Sequence, residues 1–184
     1  MSYRSVLMCA VVTTLLVSSS AAQNFEINNI FVTSEGDDRV FEYTRAGELV
    51  RTFGPSAGLV EPKGLAFGPT GLLWVVSSGT SSLIAFNPLG LEQYERIISG
   101  GQGSPSVLAF GPNGLIFVLD PGARTITAYT DEGTEVHQLV LPEGDYAESD
   151  LVFGASGTLF VSEADAGVVL EVSLRGTVIR ALGE

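Results

Sequence analysis

A short segment of this chain returns at a fixed interval. Leu65-Ala66-Phe67-Gly68 recurs as Leu108-Ala109-Phe110-Gly111 and as Leu151-Val152-Phe153-Gly154, each step 43 residues long with no insertion or deletion. Gly47, Gly90, Gly133 and Gly176 keep the same step and carry the repeat one copy toward the N-terminus. Phe31, Trp74, Phe117 and Phe160 form an aromatic column, and Val40, Leu83, Ile126 and Val169 an apolar one. Several columns in one register mean internal duplication, and duplicated units of this size stack or fan about an axis.

The second copy shows what one unit holds. Residues 64–67 are a short apolar strand, and Gly68-Pro69-Thr70-Gly71 is a turn in which Pro sets φ and Gly accepts a positive φ. Residues 72–76 form a second strand, rich in the aromatic and β-branched residues that strands favour. A polar loop leads to a third strand at 83–86, the Asn87-Pro88-Leu89-Gly90 turn, and a fourth, more polar strand at 92–98. No segment after the first residues keeps a 3.6-residue period, so almost no helix is predicted there. Four short antiparallel strands in each repeat of this length predict an all-β chain, a β-propeller of about four four-stranded blades. The predicted blades run over 28–61, 62–104, 105–147 and 148–184. The first lacks its inner strand, whose equivalent positions are 22–25, which leaves roughly fifteen strands.

Residues 1–22 stand apart from the repeat. Arg4 precedes an apolar run at 6–17, and Ser18-Ser19-Ser20-Ala21-Ala22 follows with small residues suited to cleavage before Gln23. This pattern reads as a signal peptide, and a secreted or periplasmic protein follows from it. The other reading is an N-terminal membrane anchor, although the run is short for a bilayer. The single cysteine, Cys9, lies in this leader without a convincing lipoprotein box. Residues 23–184 therefore offer no disulfide, no thiol nucleophile and no cysteine zinc site. The formal net charge is −12, and one unit more negative once Arg4 is removed. Such a field repels phosphate, so no nucleic-acid partner is expected and anionic lipid is a poor one. No later segment approaches membrane length, so no membrane span is expected after cleavage.

The stretch Pro62-Lys63-Gly64-Leu65-Ala66-Phe67-Gly68-Pro69-Thr70-Gly71-Leu72-Leu73-Trp74-Val75 resembles the NHL repeat. Ser34-Glu35-Gly36-Asp37-Asp38-Arg39-Val40 and the later copies resemble it as well. The wider relatives are six-bladed propellers of the NHL, SMP-30 and TolB-like kind, and they host many unrelated activities. Four copies are too few for a six-bladed ring. Three outcomes fit: a partial product of a longer ring, an open arc that pairs with another copy, or a closed four-bladed ring. The open arc, whose unpaired blades would favour a homo-oligomer, is the expectation carried forward.

Antiparallel alternation puts the loop after each second strand and the blade-to-blade connection on one face. That face collects most of the loop carboxylates, and the best candidates for a cation site are Asp120, Asp150 and Glu163. Asp120 and Glu163 are equivalent in successive copies, and hard cations such as calcium take several such oxygens. The same residue types equally suit turn caps and a solvated surface. The cofactor expectation goes no further than a divalent cation such as calcium.

Other constellations carry less. The resemblance implies that lyase relatives need several metal-binding histidines, and His137 is the one histidine here. It also implies carboxylate and amide metal ligands in lactonase relatives, yet Asn87 and Asn113 fall in turns on the opposite face. Ser77 and Ser78 lack a nucleophile elbow. Trp74 and the repeated Phe and Tyr positions read as core layers. The leading expectation is a non-enzymatic scaffold that binds protein, peptide or glycan. The alternatives are a metal-dependent hydrolase or lactonase of the SMP-30-like kind, and a truncated, non-catalytic fragment of a longer propeller.

Overall fold

The computed structural model describes residues 29–97 and 103–183. The expected leader lies outside the described residues. Fifteen strands are present: β1 (Ile30–Ser34), β2 (Arg39–Tyr43), β3 (Leu49–Phe53), β4 (Pro62–Phe67), β5 (Leu73–Ser77), β6 (Ser82–Phe86), β7 (Glu92–Ile97), β8 (Val107–Phe110), β9 (Ile116–Asp120), β10 (Thr125–Tyr129), β11 (Glu135–Val140), β12 (Leu151–Phe153), β13 (Leu159–Glu163), β14 (Val168–Val172) and β15 (Val178–Leu182). They form a three-stranded sheet, β1-β2-β3, and three four-stranded sheets, β4-β5-β6-β7, β8-β9-β10-β11 and β12-β13-β14-β15. Each sheet is a meander of sequential neighbours, numbered here blades 1 to 4. Among the described residues the only helical pieces are three 3₁₀ turns, at Glu35–Asp37, Pro55–Ala57 and Ser78–Thr80.

Local chemistry explains the punctuation. The first hairpin of blades 2, 3 and 4 closes at Gly71, Gly114 and Gly157, with φ of +79°, +80° and +78°. A side chain is strained in that region, which is why glycine recurs there. After each second strand the chain turns through a left-handed residue: Asp38, Ser81, Arg124 and then Gly167. The third-to-fourth-strand pairing slips at one register position, between Glu42/Tyr43, Ala128/Tyr129 and Glu171/Val172. Such bulges sharpen the local twist.

The described chain divides into two compact units, the first ending at Glu95 and the second starting at Arg96. In the first unit, Phe31, Val40, Phe53 and Leu59 of blade 1 pack on Leu65, Leu73, Val75, Ile84 and Phe86 of blade 2. In the second, Phe117, Leu119, Ile126 and Leu139 of blade 3 pack on Leu151, Leu159, Val161, Leu170 and Val172 of blade 4, with Tyr146 in the same cluster. Each such side chain contributes about 1.5–3 kcal/mol on burial. Face-to-face blade packing therefore outweighs any single loop contact within each unit. Of the aromatic column, Phe31 and Phe117 lie in these layers, and Trp74 is buried as well.

Candidate functional site

The register position that ends each second strand is Ser34, Ser77, Asp120 and Glu163, and in blades 2, 3 and 4 it meets the incoming connection loop. In blade 2 the Ser77 hydroxyl accepts the Val60 N–H at 2.9 Å and donates to the Val60 carbonyl at 3.1 Å. In blade 4 the larger Glu163 does more. Its Oε1 accepts the N–H groups of Asp145 (2.8 Å) and Asp165 (2.9 Å), and its Oε2 accepts that of Ala166 (2.8 Å). The Ala164 N–H returns a bond to the Asp145 carbonyl at 2.9 Å. A glycine makes room for this carboxylate, since a Cβ at Gly144 would lie 2.9 Å from Oε1.

Charge-assisted bonds from backbone amides favour the ionised form. The Ala166 and Asp145 amides accordingly hold the Glu163 carboxyl below its ordinary range, against the opposing effect of its burial. Tyr146 sits one residue beyond Asp145, is buried, and has its phenol pushed up, first by desolvation and then by the Glu163 charge.

Asp120 plays the corresponding part in blade 3. Its Oδ1 accepts the Ala123 N–H at 3.0 Å, and the Gly103 backbone lies against its other oxygen, where no Cβ could fit. Asp150 precedes β12. Its Oδ1 accepts the Leu151 N–H at 2.8 Å, and its own N–H donates to the Ser162 hydroxyl at 2.8 Å. In the first unit, Asp38 Oδ1 accepts the Glu61 N–H at 2.7 Å, tying a second-strand loop to a connection. Of the three carboxylates proposed from sequence, Asp120 and Glu163 thus end strands and Asp150 lies in a connection, and each accepts a backbone N–H. Among the described residues, no three His, Cys, Asp or Glu side chains are placed together to hold a metal ion.

His137 lies on the outer strand β11, half-buried, with its ring edge-on to Phe117 at 5.7 Å between centroids. Asn87 and Asn113 cap their own turns, accepting the Leu89 and Leu91 N–H groups and the Leu115 N–H respectively.

Sequence reading passed over two ion pairs that bridge the last two strands of a blade. Arg51 Nε meets Glu42 Oε2 at 2.5 Å in blade 1, and Arg180 Nε meets Glu171 Oε2 at 2.5 Å in blade 4. Each Glu takes one more side-chain bond, from Asn29 (2.7 Å) or from Thr158 (2.9 Å). The Arg180 and Thr158 bonds lower the Glu171 pKa. Stepping three copies along the register equates all three pairs of positions, and that was the available signal.

No family model and no curated protein matches the chain. Solved structures do. A catalytically inactive histidine-to-alanine variant of virginiamycin B lyase from Staphylococcus aureus with quinupristin is similar, with a TM-score of 0.69, 14% identity, and coverage of 85% of this chain and 52% of that one. A streptogramin B lyase matches with a TM-score of 0.67 and 17% identity over 92% of this chain and 52% of that one. The WD40 β-propeller domain of Doa1 matches with a TM-score of 0.61 and 18% identity over 77% of this chain and 45% of that one. The chain spans about half the length of these structures. At such identities the likeness carries the fold: the chain is made of about four β-propeller blades.

Proposed function

We propose that this chain is an NHL-like propeller segment that serves as an exported binding scaffold, presenting the acidic loops of its blades to a protein, peptide or glycan. Residues 1–22 are its leader in this reading, and the blades follow the register given above. One observation carries the proposal: the loop-face carboxylates Asp38, Asp120, Asp150 and Glu163 accept backbone N–H bonds. Within each unit, loops held this way are preorganised, which lowers the entropy cost of binding. Exposed Glu35, Asp37, Glu61, Glu148 and Asp165 then supply the negative field that selects a basic partner. The WD40 domain among the similar structures gives a precedent for the fold only.

A peptide and glycan array probed with the purified chain tests this. Ligands should be enriched in cationic groups, and Glu148→Lys with Asp165→Lys should weaken them by about tenfold or more. Binding that ignores these reversals would overturn the reading. A melting temperature raised by calcium and restored to the metal-free value by Asp120→Ala or Glu163→Ala would replace it with the metal-dependent alternative.

A further inference from the structure

Each blade has a forward and a rear face, set by strand alternation. Phe31, Glu42 and Arg51 stand opposite one another across β1, β2 and β3 and so share the forward face of blade 1. Blade 2 covers that face, and Arg51 Nη2 donates across the junction to the Pro88 carbonyl at 2.6 Å. Blade 4 repeats the pattern: Val152, Phe160, Glu171 and Arg180 stand opposite one another across β12 to β15. The Glu–Arg pair and its third hydrogen-bonding partner recur only in these two copies. The middle copies have Ala85 with Tyr94 and Ala128 with His137 at the same positions.

The two faces differ in what covers them. On blade 1, Val40 is 0% and Phe53 is 9% exposed; their equivalents on blade 4, Val169 and Leu182, are 36% and 38% exposed, and Val152 is 57% exposed. Among the described residues, Arg180 makes no counterpart of the Arg51–Pro88 bond.

The complementary half lies on the same chain. The rear face of blade 2 consists of Leu73, Val75, Ile84 and Phe86, all 0% exposed. Ile30, Val32, Phe41 and Tyr43 are their equivalents on blade 1 and are only half-buried, with the rings of Phe41 and Tyr43 stacked at 6.1 Å. The Thr44–Gly47 turn repeats the hydrogen bonds of the Asn87–Gly90 turn, so the Arg45 carbonyl stands where that of Pro88 stands.

We infer that the forward face of blade 4 docks on the rear face of blade 1 of a second copy, reproducing between molecules the blade 1–blade 2 junction. In that junction Arg180 donates to the carbonyl of Arg45 of the partner subunit. Such a contact is head-to-tail, and it closes into a ring when the rotation permits. The inference deepens the scaffold reading and rests on its repeat register, but not on any ligand.

Sedimentation velocity of the full chain, over about a hundredfold range of concentration, should show reversible association. Val152→Glu blocks the forward face and Phe41→Glu the rear face; each should raise the dissociation constant at least about tenfold. Mixing the two variants should restore a dimer, because one intact face remains on each. Val169→Glu and Tyr43→Glu replace either variant that loses its cooperative melt. A wild-type monomer at every concentration, association unaffected by both variants, or variants that fail to rescue each other would overturn the inference. Loss of array ligands with association intact would instead count against the scaffold reading alone.

Discussion

Glu163 shows how one side chain can organise a loop. Its three backbone bonds join residues 145, 165 and 166, so the connection into blade 4 and the loop leaving β13 share one anchor. The folded-state pKa is depressed, so the stabilisation is present above the unfolded value of about 4.3 and is lost as pH falls through the lower folded value. Glu163→Gln should therefore melt below wild type at neutral pH, with the gap closing on acidification below about pH 4. Thermal melts across that range check it, and a gap independent of pH would refute the ionic role. Gly144→Ala should destabilise by about 1–3 kcal/mol, because its Cβ would press on the Glu163 carboxylate. Denaturant midpoints measure that cost. The sequence marked Glu163 as notable through its register with Asp120, but not as a loop anchor. Its donors lie up to 18 positions away, and no local pattern encodes that distance.

At the scale of strands, the Glu42–Arg51 pair replaces the apolar contacts expected of a blade. Glu42 is 1% exposed, and Arg51 both neutralises it and lies over the Phe53 ring at 5.7 Å. Removing the Arg alone strands a buried carboxylate. Arg51→Ala should cost about 3 kcal/mol, the lower end for breaking a buried pair, since the Arg side chain keeps 29% exposure. Replacing both, Glu42→Ala with Arg51→Tyr, copies blade 2 and should return stability to within about 1 kcal/mol of wild type. Urea unfolding of the single and double variants decides this, and a double variant no better than the single would refute it. The strands themselves were legible: the segments read at 64–67, 72–76, 83–86 and 92–98 correspond to β4 to β7, each end within two residues. Period-two patterning and Gly/Pro turns act over a few residues, so they need no tertiary information.

For the molecule as a whole, charge and packing oppose one another. Its 21 acidic and 9 basic residues repel on balance, while the blade faces hold each unit together. Added sodium chloride should therefore raise the melting temperature by screening that repulsion. A fall with salt would show that the few ion pairs dominate instead. No helix of the described residues is long and apolar enough to cross a membrane. The repeat count anticipated both the fifteen strands and the three-stranded first sheet.

The spacing of glycines and aromatics alone determined the blades, their number and their strand order, because each unit's instructions sit within 43 consecutive residues. Only the tertiary structure decided what the carboxylates do. Whether an acid meets a cation, an arginine or an amide depends on which distant segment the packed sheets bring beside it. Burial then makes the resulting hydrogen bonds obligatory, since an unpaired charge in that setting is costly.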